Sequence, residues 1–189
     1  GIAGILFTLL QFPAELARIP DASQHIRDTA DALLGQRFPS GNLPSSEGSS
    51  RDELVHWCHG PVGLVPLLLL MADVFGEARY RAIAIELGEL VWTRGLLSTK
   101  GPGLCHGIPG NGYVFLALQG ASSQEETLWL RRARHFAVVT VQKMRHLTRN
   151  ADGPASLFEG AAGALSFWQD SLAAETDIQQ AARFPGYEF

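Results

Sequence analysis

Both cysteines of this 189-residue chain stand in one repeated phrase, Trp57-Cys58-His59-Gly60 and Leu104-Cys105-His106-Gly107. Each phrase runs on to a second glycine, as Gly60-Pro61-Val62-Gly63 and Gly107-Ile108-Pro109-Gly110. Thiolate and imidazole are zinc ligands, and zinc prefers four of them; a catalytic zinc keeps three from the protein and leaves one position open. A lone cysteine is most often a small core residue. Two in the same local context favour convergence on one metal ion. Cys58, Cys105 and His106 or His59 are the candidate ligands, and the spacing alone leaves three or four of them open. Two cysteines do not make a disulfide framework, although one disulfide could form.

Neighbouring residues on a helix point about 100° apart, so Cys105 and His106 need a loop if both are to face one ion. The glycines supply such loops. Gly-x-x-Gly followed by an apolar stretch occurs four times, starting at Gly1, Gly60, Gly107 and Gly160. The stretches are Ile5 to Phe12, Leu64 to Phe75, Tyr113 to Leu118 and Ala164 to Trp168. Amphipathic segments lie between them. Ile26, Ala30, Leu33 and Leu34 fall at helical spacing, with Gly35 as a C′ residue; Tyr80, Ile83, Leu87 and Val91 do the same before Gly95. A third stripe is Trp129, Ala133, Phe136, Ala137, Val141 and Met144, opened by a capping box in Ser122-Ser123-Gln124-Glu125-Glu126. Arg131, Arg132, Arg134 and Lys143 read as its solvated face.

Each unit therefore reads as an αα-hairpin, with an apolar inner helix and an amphipathic outer one. Hairpins repeating every roughly 50 residues stack into a solenoid or an α/α barrel. The expected fold is all-α, about three and a half hairpins in one domain over residues 1–189. The Pro-, Ser- and Gly-rich stretch 38–51 is the most linker-like, but the repeat continues across it.

Hydrophobic residues are 46% and charged residues 18% of the chain, which places it among globular domains. A net charge of -4 without a basic run argues against a nucleic-acid surface. The apolar run from Leu64 to Met71 is too short to span a bilayer. The chain starts at Gly1 without a basic n-region, so no signal peptide is expected, and it reads as cut from something longer.

The two Cys-His-Gly phrases resemble the paired zinc-binding motifs of LanC-like proteins, eukaryotic relatives of the bacterial lantibiotic cyclases. The resemblance extends through Ser156-Leu157-Phe158-Glu159-Gly160 and Ala182-Arg183-Phe184-Pro185-Gly186-Tyr187-Glu188-Phe189 and covers essentially the whole chain. It implies an α/α toroid of seven inner and seven outer helices, of which this chain is the C-terminal half. It implies one zinc held by Cys58, Cys105 and His106, with His59 next to the ligands or facing substrate. It also implies glutathione as substrate, contacted by Lys100 and by Arg149 and Asp152 at the ends of Arg149-Asn150-Ala151-Asp152. The middle of that tetrad departs from the family's usual Thr-Pro.

The activity implied is zinc-assisted addition of the glutathione thiol to dehydroalanine or dehydrobutyrine in peptides or proteins. That makes the full-length protein a transferase-type enzyme, cytoplasmic, with peripheral membrane association left open. The alternative is a non-catalytic adaptor that binds zinc and glutathione. A third reading, a glycosidase or terpene cyclase on the same fold, needs clustered carboxylates, and the inner loops offer only Glu159. His59 and Glu159 are the candidate catalytic groups. The family's active-site His lies just ahead of Gly1, and an Asp lies further upstream. This chain alone is therefore expected to be inactive.

Overall fold

The computed structural model describes residues 1–123 and 127–187. In chain order its helices are α1 (Ile2–Leu10), α2 (Pro13–Leu16), α3 (Ala22–Leu34), α4 (Leu64–Phe75), α5 (Ala78–Arg94), α6 (Ile108–Gly120), α7 (Leu128–Arg149), α8 (Ala161–Ala173) and α9 (Ile178–Ala181). There is no strand among the described residues. The expected capping box reaches residues 124–126, which lie outside the described set, as do Glu188 and Phe189 of the closing motif.

The hairpin reading fits the packing. The inner helices form a row, α1 against α4, α4 against α6, α6 against α8. The outer helices cover it: α3 packs on α1, α5 on α4 and α6, and α7 on α6 and α8. This all-helical row of hairpins is the arrangement from which α/α toroids are built. At its two ends the inner helices keep apolar ridges on the surface, Ile2, Ile5 and Leu9 on α1 and Leu165 and Leu172 on α8.

Burial follows the apolar pattern. Helix α4 buries Leu64, Val65, Leu67, Leu68, Leu69, Met71 and Ala72, and ends at Gly76, whose φ of 68° is left-handed. Helix α6 is buried on every side from Ile108 to Leu116, including Gly110 and Gly112. A Cβ at Gly112 would overlap the Phe167 ring, so this glycine lets α8 press its aromatic ring onto the α6 backbone.

Three local expectations need correction. Gly95 ends α5 as expected, but Gly35 is the C-cap of α3 and, with a φ of -66°, is right-handed where a C′ glycine is left-handed. The inner helices α1, α6 and α8 start right after the first glycine of each pair, so Gly4, Gly110 and Gly163 lie in their first turns. Finally, the buried stripe of α7 is Trp129, Ala133, Phe136, Thr140 and Leu147, while Val141 is 57% exposed. A threonine can take the core position because its Oγ1 donates to the Phe136 carbonyl at 2.8 Å, inside its own helix.

The stretch 38–51 has no helix, yet it is held firmly. Asp52 accepts from Arg94 Nη1, Asn42 Nδ2 and Ser40 Oγ at 2.6–2.8 Å. The Ser40 and Asn42 hydrogen bonds, with the Arg94 guanidinium, hold the Asp52 carboxyl down at about 2. Asn42, fully buried, also donates to the Leu54 carbonyl. The loop is thereby pinned to the end of α5, next to the first cysteine phrase.

The last three glycine pairs share a physical cause. In each of them a Cβ on either glycine would strike the carbonyl of the residue six positions earlier, whereas Gly1 and Gly4 meet nothing within 4 Å. Gly60 would strike Leu54, Gly63 Trp57, Gly107 Gly101, Gly110 Leu104, Gly160 Pro154 and Gly163 Leu157. Each loop folds back over the start of its own inner helix, closer than any side chain permits. Gly76, by contrast, faces open space. Gly110→Ala should therefore lower stability by about 2–4 kcal/mol, as an overpacked backbone does, and Gly76→Ala by only about 1 kcal/mol for its positive φ. Urea unfolding of the two variants checks the contrast.

Candidate metal centre

Backbone hydrogen bonds sew three of the glycine loops side by side. The N–H groups of Trp57 and Cys58 both donate to the Cys105 carbonyl, at 3.1 and 3.3 Å. The Cys105 N–H donates to the Phe158 carbonyl at 2.8 Å, and Leu104 N–H to Leu157 at 3.2 Å. Asn111, fully buried, adds a side-chain tie: its Nδ2 donates to Val55 and Gly95 carbonyls, each at 2.9 Å. Equivalent positions of successive repeats are thus fixed within one hydrogen bond of each other.

This brings Cys58, Cys105 and His106 together, with one ligand atom from each lying within 4.8 Å of the others. Cys58 is exposed, and Cys105 and His106 are half-buried. The cysteines are free thiols. Burial pushes the Cys105 thiol up to about 12, and the adjoining Cys58 and the Glu159 carboxylate add to the rise. Two thiolates side by side with a carboxylate near them require a cation, and a metal ion is the cation that suits this donor set. Two sulfurs and one imidazole with one exposed side fit a zinc that keeps an open position.

His59 stands apart from this cluster. Its Nδ1 is 3.0 Å from the Ser45 carbonyl. A carbonyl only accepts, so Nδ1 carries a hydrogen, and in the neutral ring Nε2 keeps the lone pair. His59 therefore clips the loop around Ser45 to the first cysteine phrase. Glu159 lies on the other side, in the loop whose backbone accepts from Cys105; its own N–H donates to Ser156 Oγ at 3.1 Å.

Charged residues rim the same side as His106. Asp152 Oδ2 is 3.9 Å from His106 Nε2, with the Asp152 side chain 78% exposed. Lys100 is exposed on the preceding loop, and its charge is felt at His56. Arg149, exposed, is the last residue of α7. The loops are in contact, since a Cβ at Gly101 would meet Ala151 and the Glu159 carbonyl. Helix α7 is tied to this region by His146, whose Nε2 is 3.0 Å from the Ser98 carbonyl.

Two groups escaped the sequence reading. His56 is 6% exposed, with its ring 5.9 Å from the His106 ring. Burial chiefly, then the charges of His106, Lys100 and His59, lower it to about 4, so it is neutral at pH 7. Its place two residues before Cys58 is the only signal it gave. The second is an aromatic stack on Trp57. Phe184 lies parallel to it at 5.0 Å and Tyr187 meets it edge-on at 4.7 Å. The C-terminal segment reaches this point by crossing the inner helices: Phe184 contacts Tyr113 of α6, and the Tyr187 carbonyl accepts from Gln11 just past α1. No local pattern in the sequence places residues 184–187 beside residue 57.

Residues 1–188 match the family described as lanthionine synthetase C-like protein. The glutathione S-transferase LANCL1 of Danio rerio is 39% identical over 188 residues, covering all of this chain and 44% of that protein. The LanC-like protein GCL1 of Arabidopsis thaliana is 37% identical, with all of this chain matched to 42% of its length.

The chain belongs to the lanthionine synthetase C-like family.

It spans less than half the length of these two relatives. None of its described helices is long and apolar enough to cross a membrane.

For this LanC-like chain the donor cluster gives a direct metal test. Cys105→Ala should abolish zinc retention, because two remaining ligands hold zinc poorly. His106→Ala should lose far more zinc than His59→Ala, measured by elemental analysis after dialysis. Equal losses would mean a closed four-ligand site. A pH effect follows from His56. Its folded value is depressed below the ordinary 6.5, so the unfolded chain takes up a proton first on acidification. The metal-free protein should thus lose stability as the pH falls from about 6.5 to about 4, and no further loss from this group should follow below that. Urea titrations of the wild type and His56→Gln at several pH values check this; the variant should show a shallower decline.

Proposed function

We propose that this chain carries the zinc and thiol site of a glutathione transferase that adds glutathione to dehydroalanine or dehydrobutyrine residues. The observation that carries the reading is the convergence of Cys58, Cys105 and His106 with one side open. The relative from Danio rerio, named a glutathione S-transferase, supports the choice of thiol. Bound zinc would lower the pKa of a thiol in its open position and favour the thiolate at neutral pH.

The rest is work for the protein's own residues. Lys100 and Arg149 would pair with the glutathione carboxylates, and Asp152 with its ammonium group. In the addition, the thiol loses its proton, sulfur bonds to the β-carbon and the Cα=Cβ π bond opens onto the carbonyl as an enolate. A proton then returns to Cα, so no oxidant, reductant or leaving group is needed. His59, with its lone pair on Nε2, and Glu159 are the groups of this chain proposed to hold and return that proton.

Lys100→Ala and Arg149→Ala in the full-length protein should each weaken glutathione binding by roughly 1–3 kcal/mol, with zinc content unchanged. Isothermal titration calorimetry measures both. Unaltered affinity in the two variants would remove these residues from the thiol site.

A further inference from the structure

A cavity of about 490 Å³ opens beside the cluster, and Asp152 is not among its lining residues. Cys58 and His59 line it, and neither Cys105 nor His106 does. Its other walls are Phe7 of α1, the loop at Ser45, and Phe184 and Tyr187 of the C-terminal segment. The size suits a short peptide segment or a small ligand and is far below a folded surface. The metal centre therefore has two approaches of different chemistry. One is rimmed by Lys100, Asp152 and Glu159. The other is mostly apolar and aromatic, and Glu47 is the one Asp, Glu, Lys or Arg among the described residues that line it.

An addition reaction needs both partners at one centre. Glutathione carries charged groups that match the first approach. A dehydroamino acid within a peptide has a neutral, planar, apolar reacting group. We propose that the cavity is the acceptor subsite, and that Trp57, Phe184 and Tyr187 form the wall that selects the residue flanking the dehydroamino acid. This rests on the addition reaction proposed above. The wall is rigid, because Trp57 stacks on Phe184 while its backbone N–H is held by Cys105. The floor loop is held as well, since His59 clips it at Ser45. The ligand class is an extended peptide with an aromatic or apolar flank. Exposed Glu47 at the cavity favours a basic second neighbour and disfavours an acidic one.

The test uses fluorescein-labelled peptides in which threonine replaces the dehydrobutyrine, so they bind without reacting. Affinity for the zinc-loaded, full-length protein is read by fluorescence anisotropy, and glutathione affinity by calorimetry on the same samples. The Phe-flanked peptide should bind the wild type more tightly than the Gly-flanked one. Tyr187→Ala, at a surface position, should narrow that preference by roughly 3- to 10-fold, the worth of one aromatic contact. Its glutathione affinity should not change. Glu47→Lys, at an exposed position on the cavity's edge, should reverse the order of Arg- and Asp-flanked peptides. If neither variant alters peptide binding, or if Tyr187→Ala weakens glutathione instead, the acceptor assignment is overturned. If the peptides behave as expected but the wild type binds no glutathione, the cavity stands and the thiol reading fails.

Discussion

The structure depends on the peptide group of Cys105. Its N–H is used by the loop after it in the row and its C=O by the loop before it. A loop residue normally spends its backbone groups on water or on its own turn. Here both are spent sideways, on equivalent positions of neighbouring repeats. This fixes the distance between the first cysteine phrase, the second and the Phe158-Glu159 loop, without help from the side chains that do chemistry. The three donors are brought together by the frame, and a metal ion would bind a site largely assembled already. Such preorganisation lowers the cost of binding, which a site assembled only on metal binding must meet in full.

The sideways hydrogen bonds require the loops to approach closely, and the glycine pairs make that approach feasible. Each of the last three pairs sits over the carbonyls of residues six positions earlier. The recurrence of Gly-x-x-Gly is therefore a packing requirement of those three repeats, while the cysteine and histidine are the variable part placed upon it. The fourth repeat illustrates the division. It keeps Gly160 and Gly163 with the same close contacts, but carries Phe158-Glu159 where the second and third carry Cys-His. Its loop serves as a backbone acceptor for Cys105 and brings a carboxylate near the thiols.

The legibility of the sequence follows from this separation. Repeat spacing and apolar periodicity gave the inner and outer helices, because burial on one face leaves a regular imprint. The cysteine phrases gave the cluster, because repeat symmetry turns equal sequence positions into spatial neighbours. What was illegible lacks both kinds of imprint. Thr140 took a core position in α7 that the apolar pattern assigned to Val141, since a hydroxyl satisfied within its own helix does not look apolar. The pinning of the loop through Asp52 depends on Arg94, far along the chain. The aromatic stack on Trp57 depends on a segment that returns from the far end of the row.

That returning segment also changes the environment of the centre. A thiolate nucleophile in open water is solvated and its metal site exchanges freely; beside an aromatic wall one face is dry. Phe184 is nearly buried between Trp57 and Tyr113, so the wall is anchored in the core as well as bordering the cavity. Tyr113 in turn donates to Asp170 of α8, whose carboxyl is raised by burial. The inner helices α6 and α8, the tail and the first cysteine phrase are thus linked by contact. The tail touches Trp57, and Trp57 is the immediate neighbour of a candidate metal ligand. The surroundings of the first cysteine phrase therefore include residues from the other end of the described chain.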